Sequence, residues 1–559
     1  MNYNNFEPYE MPLTVQNFGF FTSEALQKVK NDLELKCELR ELVYIQSYYI
    51  NRARRDPFSD ELRFLDAIIT YRKSDPARFV LERLSTDSKA VGESFSDAVQ
   101  KLNELGHTSP YGFDRIANAA DEYLDRAGKR TATPGIFGKC GDQAALEFCF
   151  KGCAPVAMPE TDCSSCVIGV PSKPPRKISP VSANDVFVII YALDGTESES
   201  IGERIEALVY HPAICGHVRK IRPADAGAIF DYMTTASAGF YADALPLPPA
   251  DNESTPFDRL FARRKNCVVT AVGAHMLSHV ESIAQTLGLC VIAFGHPLKA
   301  KRVSVRYGGL LPVDFDSEFI SGLPLRLPVS ADIFRAENDG SLHSSGLSRA
   351  EGIVFASSSC RGGSVRQVSD SIVAAVSPLV AEGVHFNDIS VSFDCKLPLR
   401  SNDSSAQSAA TSLLLGKYRA QAELCLRSEG NRYVCTSDDI SISTFARAAQ
   451  PKKETDASVG RVGSLYLVAA SRREDGLLDF DSLRKLYGYV LSLIENGRAI
   501  SVTALGCSGL DAELDALGIL PPDSTNVPLE LKLSAVGAFI IESETKIPGL
   551  LLERKDFLI

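Results

Sequence analysis

Asp475-Gly476-Leu477-Leu478-Asp479-Phe480-Asp481-Ser482-Leu483, running on through Leu486 and Leu493 to Ile500-Ser501-Val502-Thr503-Ala504-Leu505-Gly506, decides how the rest of the chain is read. Asp475-Gly476 is turn text. Leu483, Leu486, Val490, Leu491 and Ile494 recur at helical spacing, which predicts a helix over 482–495. Asn496-Gly497 supplies a C-cap, and the apolar residues from Ile500 predict a strand directly after it.

Working outward, Gly463 to Ala470 predicts the strand before this motif. Val186 to Tyr191 is a continuous apolar run, the mark of a buried strand. Strand, helix and strand are expected at Cys267-Val268-Val269-Thr270, His275 to Gly288 and Leu289 to Phe294. Val303 to Gly309 adds a strand and a turn. Further helices are expected over 368–382, closed by Gly383, and over 404–427, with Ser401-Asn402-Asp403-Ser404 as the entering loop. The pattern after Val186 recurs after Leu465, about 280 residues on, which suggests a duplicated unit. Residues 1–105 read as helical and charged, with one helix from Leu26 to Asn51, broken by Arg54-Arg55-Asp56-Pro57, and another through Glu61 to Asp66. Residues 106–180 are mixed, and Lys173-Pro174-Pro175-Arg176-Lys177 reads as a turn or linker. The expected class is α/β (α+β).

With 559 residues the chain needs several cores. A hydrophobic share of 45% and a charged share of 23% are those of a globular protein. The net charge of −11 argues against a nucleic-acid partner, and no apolar run is long enough for a membrane span. Met1-Asn2-Tyr3-Asn4-Asn5-Phe6-Glu7 lacks the features of a signal peptide. A cytoplasmic location is therefore expected, with the 14 cysteines reduced.

Several segments, in order, resemble phosphoribosylformylglycinamidine synthase (FGAM synthase) in its long single-chain form. The opening motif resembles its C-terminal domain. Tyr48-Tyr49-Ile50-Asn51, Arg55-Asp56-Pro57, Glu61-Leu62-Arg63 and Asp66 resemble its linker region. Gly141-Asp142-Gln143-Ala144-Ala145-Leu146 resembles a Gly-Asn-Gln-Ile-Gly-Leu loop. Ser182 to Tyr191, Ala242 to Pro246 and Arg306-Tyr307-Gly308-Gly309 resemble its first C-terminal AIR synthase-like domain, and Asp370 to Glu382 a helix of the second half. The resemblance implies tandem AIR synthase-like units arranged as an internal pseudo-dimer. It gives a helical N-terminal linker region (1–105), a truncated first N-terminal domain (106–180), a first C-terminal domain (181–325), a reduced second N-terminal domain (326–455) and a second C-terminal domain (456–559). It also implies purine biosynthesis, ATP and Mg²⁺.

The departures concern chemistry. Thr70-Tyr71-Arg72-Lys73-Ser74-Asp75-Pro76 stands where the family has a catalytic His. The family's Ser-Glu-x-x-Glu-Arg falls on Phe261-Ala262-Arg263-Arg264-Lys265-Asn266, so its carboxylates are replaced. Its Gly-Ala-Gly-Gly turn is reduced to Ala226-Gly227-Ala228, and its Gly-Gly-Lys-Asp-Ser falls near Glu429-Gly430-Asn431-Arg432-Tyr433. No His-rich ATP-binding text stands between residues 80 and 135, and the sequence ends at Ile559 with no room for a glutaminase. The expectation is a catalytically inactive relative with no resident cofactor, serving as a binding or regulatory scaffold for a nucleotide, an active synthase or another protein. The alternatives are a diverged ATP-dependent synthetase that takes ammonia from a partner and a zinc-stabilised structural protein. The synthetase would draw on Asp142, Glu147, Asp194 and Glu197.

Two Gly-rich segments are candidate anion sites: Gly138 to Gln143, with Gly138, Gly141, Asp142 and Gln143, and Ser357 to Ser364, with Arg361, Gly362 and Gly363 before a helix. The plainer reading of the second is a solvated loop. Cys149, Cys153, Cys163 and Cys166 have spacing that suits a zinc site, against a reading as small core residues. His211 and His217, and His275 and His279, are read as structural. Arg259, Arg263, Arg264 and Lys265 read as a solvated basic face.

Overall fold

The computed structural model describes residues 13–73, 75–128, 136–141, 144, 147, 152–173, 178–192, 198–224, 227–248, 260–262, 264, 267–307, 310–323, 325–334, 340–401, 403–451, 462–522 and 527–554. The chain is mixed α/β, with several separate sheets. It forms two compact units. One comprises Met1–Ser74, Ala145–Ala154 and Pro171–Arg326, the other Asp75–Ala144, Pro155–Val170 and Leu327–Ile559.

In the first unit, seven strands form a sheet in the order Leu310–Asp316, Arg302–Tyr307, Gly239–Asp243, Leu289–Leu298, Asp185–Ala192, Cys267–Gly273 and Arg222–Pro223. Strand Asp185–Ala192 is antiparallel to both neighbours. Its alternate residues enter different cores, Phe187 and Ile189 one and Val188 and Ile190 the other. Side-chain alternation in a strand covered on both faces explains the continuous apolar run.

The single helix expected from Leu26 to Asn51 is two helices, Ser23–Asp32 and Leu39–Tyr48. The backbone N–H groups of Lys36 and Cys37 both donate to Asp66 Oδ1, at 2.8 and 2.7 Å, which holds the break. A capping box between Glu38 and Glu41 then restarts the helix. The resembling Arg-Asp-Pro turn has a structural role here. Asp56 accepts the backbone N–H groups of Asn17 and Phe18, and Arg55 donates to both oxygens of buried Glu61 at 2.7 and 2.6 Å.

In the second unit, strand Phe79–Thr86 lies inside the stretch read as helical and pairs in parallel with Leu327–Ile333. Its Phe79-Val80-Leu81 run is short and buried, too brief to separate strand from helix by period. The main sheet runs Ser341–Ser344, Ile353–Arg361, Ser441–Ala449, Ser390–Leu397 and Arg427–Ser428. Helices Val365–Ala381 and Ser404–Glu423 bury its apolar face. The second helix ends four residues before the expected 427, and Arg427–Ser428 is a short strand.

The opening motif forms the expected turn, helix and strand, with the helix starting two residues before the expected 482. Gly476 takes φ 79° in the turn, Asp479 caps helix Phe480–Glu495 by accepting from Asp481 and Ser482, and strand Ala499–Ala504 follows. Strand Ser464–Ala469 lies inside the five-stranded sheet that these elements build.

Candidate functional site

In the first unit, the segments that replace the family's chemical residues come together as packing. Gly227 adopts φ 82°, and a Cβ there would lie 2.5 Å from the Tyr71 ring. Arg72, 9% exposed, donates to the carbonyls of Ile320 and Leu323 and lies over the Phe230 ring at 5.7 Å. Phe261 packs against Phe64 and Phe230, with centroids 5.4 and 5.2 Å away. Arg264 is 3% exposed and donates to the Pro248 carbonyl at 3.2 Å, which corrects its reading as part of a solvated basic face. Ala226, Arg259, Arg263, Lys265 and Asn266 lie outside the described residues. At the described positions of these segments, Phe261 lies among aromatic rings, and the Arg72 and Arg264 guanidinium groups donate to backbone carbonyls.

In the second unit, the segment Ser357 to Ser364 is mostly not a loop. Ser357 to Arg361 belong to strand Ile353–Arg361, and Ser357, Ser358 and Ser359 are buried. The sheet has one apolar face, with Val391, Phe393, Cys395, Ile442 and Ala446 in the main core. On the other side stand the alternate polar residues Ser357, Ser359, Ser392, Asp394, Ser443 and Arg447, with Phe355 and Phe445 among them in a small apolar cluster, as the pleat requires.

Residues 136–141 and 159–168 cover that face as a clasp. Thr161 and Ser443 share a hydroxyl hydrogen bond of 2.9 Å. Ser164 donates to Asp394, and Ser359 to Asp162. The Ser359 hydrogen bond, joined by one from Cys163 and by the Arg361 charge, holds the Asp162 carboxyl below the usual range. Arg361 also donates to the Asp162 carbonyl at 3.0 Å.

Arg447, fully buried, sits at the centre of this layer. It donates to Ser392 Oγ at 2.9 Å and to Glu429 Oε1 at 2.9 Å. Arg432 lies 3.5 Å from buried Asp394. Gly138 faces Arg447 so closely that a Cβ would come within 2.4 Å of the guanidinium carbon. A Cβ on Gly430 would lie 1.9 Å from the Gly138 carbonyl oxygen, and the Cys140 N–H donates to the Gly430 carbonyl at 3.1 Å. Gly141 takes φ 115° beside the Arg432 side chain. These glycines allow one backbone to approach another and a buried arginine.

The structure thus brings Gly138, Gly141 and Arg361 to one layer, together with Asp394, Glu429, Arg432 and Arg447. Sequence reasoning marked the 429–433 turn only as the place of a lost motif. Gly362 and Gly363 stand apart from this layer, at the start of helix Val365–Ala381, where they border a cavity of about 440 Å³ lined also by Phe334, Ser408 and Ala409. A Cβ on Gly363 would lie 2.6 Å from the Ala409 carbonyl oxygen, so this glycine permits the helix contact.

Asp142, Gln143 and Cys149 lie outside the described residues, as do Asp194 and Glu197; Glu147 lies among them. Cys166 turns into a small core beside Cys140, whereas half-exposed Cys163 accepts from Arg361 Nε at 3.4 Å. Cys153 belongs to the first unit. Among the described residues, no three His, Cys, Asp or Glu side chains are grouped to hold a metal ion. The rings of His217 and His275 meet edge to face at 5.1 Å, a pairing that neither helical nor loop spacing suggested. No described helix is long and apolar enough to cross a membrane.

No family model matches the sequence, and no curated protein does. Solved structures do match in fold. Thermotoga maritima PurL complexed with ATP is 10% identical with a TM-score of 0.55, covering 92% of this chain and 100% of that one. PurLQS from the same organism is 12% identical, TM-score 0.54, with coverage of 92% and 100%. Phosphoribosylformylglycinamidine synthase II from T. maritima is 11% identical, TM-score 0.53, with coverage of 92% and 99%. The chain has the FGAM synthase fold. Its AIR synthase-like elements follow that fold over nearly the whole length, as the ordered resemblance implied. The FGAM synthase fold therefore persists here with polar layers whose described charges face other groups of the same chain.

Proposed function

We propose that this chain is a non-catalytic relative of FGAM synthase that serves as a binding or regulatory scaffold. The observation that carries this reading is the clasped polar layer of the second unit. There Arg447 is neutralised by Glu429, Asp394 is held by Arg432 and Ser164, and the space beside Gly138 is filled by the Arg447 guanidinium. The Arg72 and Arg264 contacts of the first unit support the same reading.

ATP and Mg²⁺, which the fold family implies, do not fit these two places. A phosphate at Gly138 would need the volume of Arg447 and Ser392, and a cation would need carboxylates that arginines already engage. An active synthase is the first partner to test for the scaffold.

The test is a thermal-shift titration with ATP, ADP and AMP, with and without Mg²⁺, followed by an assay for FGAM formation from formylglycinamide ribonucleotide, ATP and ammonia. Ligand binding to the folded state raises the midpoint with the logarithm of ligand excess. The expected result is no Mg²⁺-dependent shift and no product. A Mg²⁺-dependent shift with ATP together with turnover would replace this reading with that of an ammonia-dependent synthetase.

A further inference from the structure

We propose that Cys140 and Cys166 form a dithiol that closes reversibly to a disulfide when the chain meets a hydroperoxide. Strands Phe137–Cys140 and Cys166–Pro171 are antiparallel, and Cys140 stands directly opposite Cys166. Directly opposed residues of an antiparallel pair have Cα atoms about 4.5–5.5 Å apart, inside the window that a disulfide requires. Both thiols are free and buried, 3% and 1% exposed.

The surroundings differentiate the two sulfurs. Gly138 and Cys140 share a face of their strand, and Gly138 lies against Arg447. Arg447 is fully buried, and its Nε has no hydrogen-bond partner. Burial alone would push the Cys166 thiol up. The Cys140 S–H, the Arg447 charge, the Lys139 N–H and the Ser392 hydroxyl outweigh it and bring Cys166 below the ordinary thiol value. The hydrogen bond with Cys166, with burial added, pushes Cys140 up. One sulfur is thereby set as the nucleophile and the other as the resolving thiol.

The chemistry balances with a hydroperoxide as oxidant. The Cys166 thiolate attacks one peroxide oxygen, the O–O bond breaks, and Cys166 becomes a sulfenic acid as hydroxide leaves. Cys140 then attacks the sulfenic sulfur, the S–O bond breaks, and the Cys140 proton and the departing hydroxyl leave as water. Two thiols lose two electrons, and one hydrogen peroxide becomes two waters. The bond would tie the clasp strands together over the polar face that Ser392, Asp394 and Arg447 occupy. Cys163, the other half of Cys163-Ser164-Ser165-Cys166, is directed to Arg361 instead.

To test this, the full chain is treated with hydrogen peroxide, remaining thiols are blocked with N-ethylmaleimide, and the digest is read by mass spectrometry. A Cys140–Cys166 cross-linked peptide is expected to form at least about tenfold faster than any other pairing. Two of the 14 thiols are lost, and dithiothreitol restores them. In Cys140→Ser, Cys166 accumulates as a dimedone-trapped sulfenic acid; in Cys166→Ser, Cys140 stays reduced. The wild-type cross-link decides the matter even if a variant fails to fold. A Cys163–Cys166 cross-link, or a pair that stays reduced until urea unfolds the chain, overturns the proposal.

Discussion

Strands Asp185–Ala192 and Ser390–Leu397 are both eight residues long and deeply buried, but they reach burial by different routes. The first presents Phe187 and Ile189 to one core and Val188 and Ile190 to another. The second presents Val391, Phe393 and Cys395 to a core and Ser392 and Asp394 to a clasp of hydrogen-bonding groups. An apolar face is satisfied by any covering of the right shape. A polar face must be matched group by group, because an unpaired buried polar atom loses its water without compensation. The clasped layer is therefore the more specific of the two and the more sensitive to single atoms.

This contrast can be tested by mutation. Ile190→Ala opens a void in a dry core and is expected to cost about 4 kcal/mol in urea unfolding. Arg447→Met keeps the volume but strands Glu429, and a loss of about 3 kcal/mol is expected. If Arg447→Met is neutral or stabilising, the clasped layer is ordinary packing and the contrast fails. Gly138→Ala places a methyl group against the Arg447 guanidinium and Ser392, so about 2 kcal/mol should be lost, with hydrogen exchange rising first in 136–168.

Asp185→Asn probes a buried charge at the start of a central strand of the apolar sheet. Burial raises the Asp185 carboxyl, but the Arg219 fork at 2.8 and 2.9 Å and the Ser182 N–H outweigh it and hold it below the ordinary 3.8. The unfolded chain then takes up the proton first as pH falls. The stabilisation is fully present above about pH 4 and is lost as pH drops through the folded value. The gap between wild type and Asp185→Asn, about 2 kcal/mol at pH 7, should narrow below pH 4 in chemical denaturation. Arg473→Ala, which removes a partly exposed pair with Glu93 at 3.0 Å, should change stability by no more than about 0.5 kcal/mol.

Strand Asp185–Ala192 was legible in the sequence because its apolar run is continuous. Strand Ser390–Leu397 carried no such signal. Ser390-Val391-Ser392-Phe393-Asp394 alternates as a strand with one wet face would, and only the clasp makes it interior. For the same reason Ser357-Ser358-Ser359 read as loop text although it is buried strand. The break between Ser23–Asp32 and Leu39–Tyr48 was missed because its staple, Asp66, lies 29 residues beyond Cys37. In the candidate site, Gly138, Gly141 and Arg361 were identified as notable, but their partners Arg447, Asp394 and Glu429 were not. Those partners meet only through strand pairing.

The sequence by itself determined the elements whose signals are local. These are the helix expected over 482–495, the Asn496-Gly497 stop, the apolar run at Val186 to Tyr191, and the order of segments that resembles FGAM synthase. Caps, period and turn residues act over a few positions, so they are written in the chain. Only the tertiary structure decided what the glycines and charges face. Whether Gly138 receives a ligand or a guanidinium, and whether Cys166 meets Cys163 or Cys140, depends on register between distant strands. That register is set by the whole buried surface at once rather than by any stretch within it.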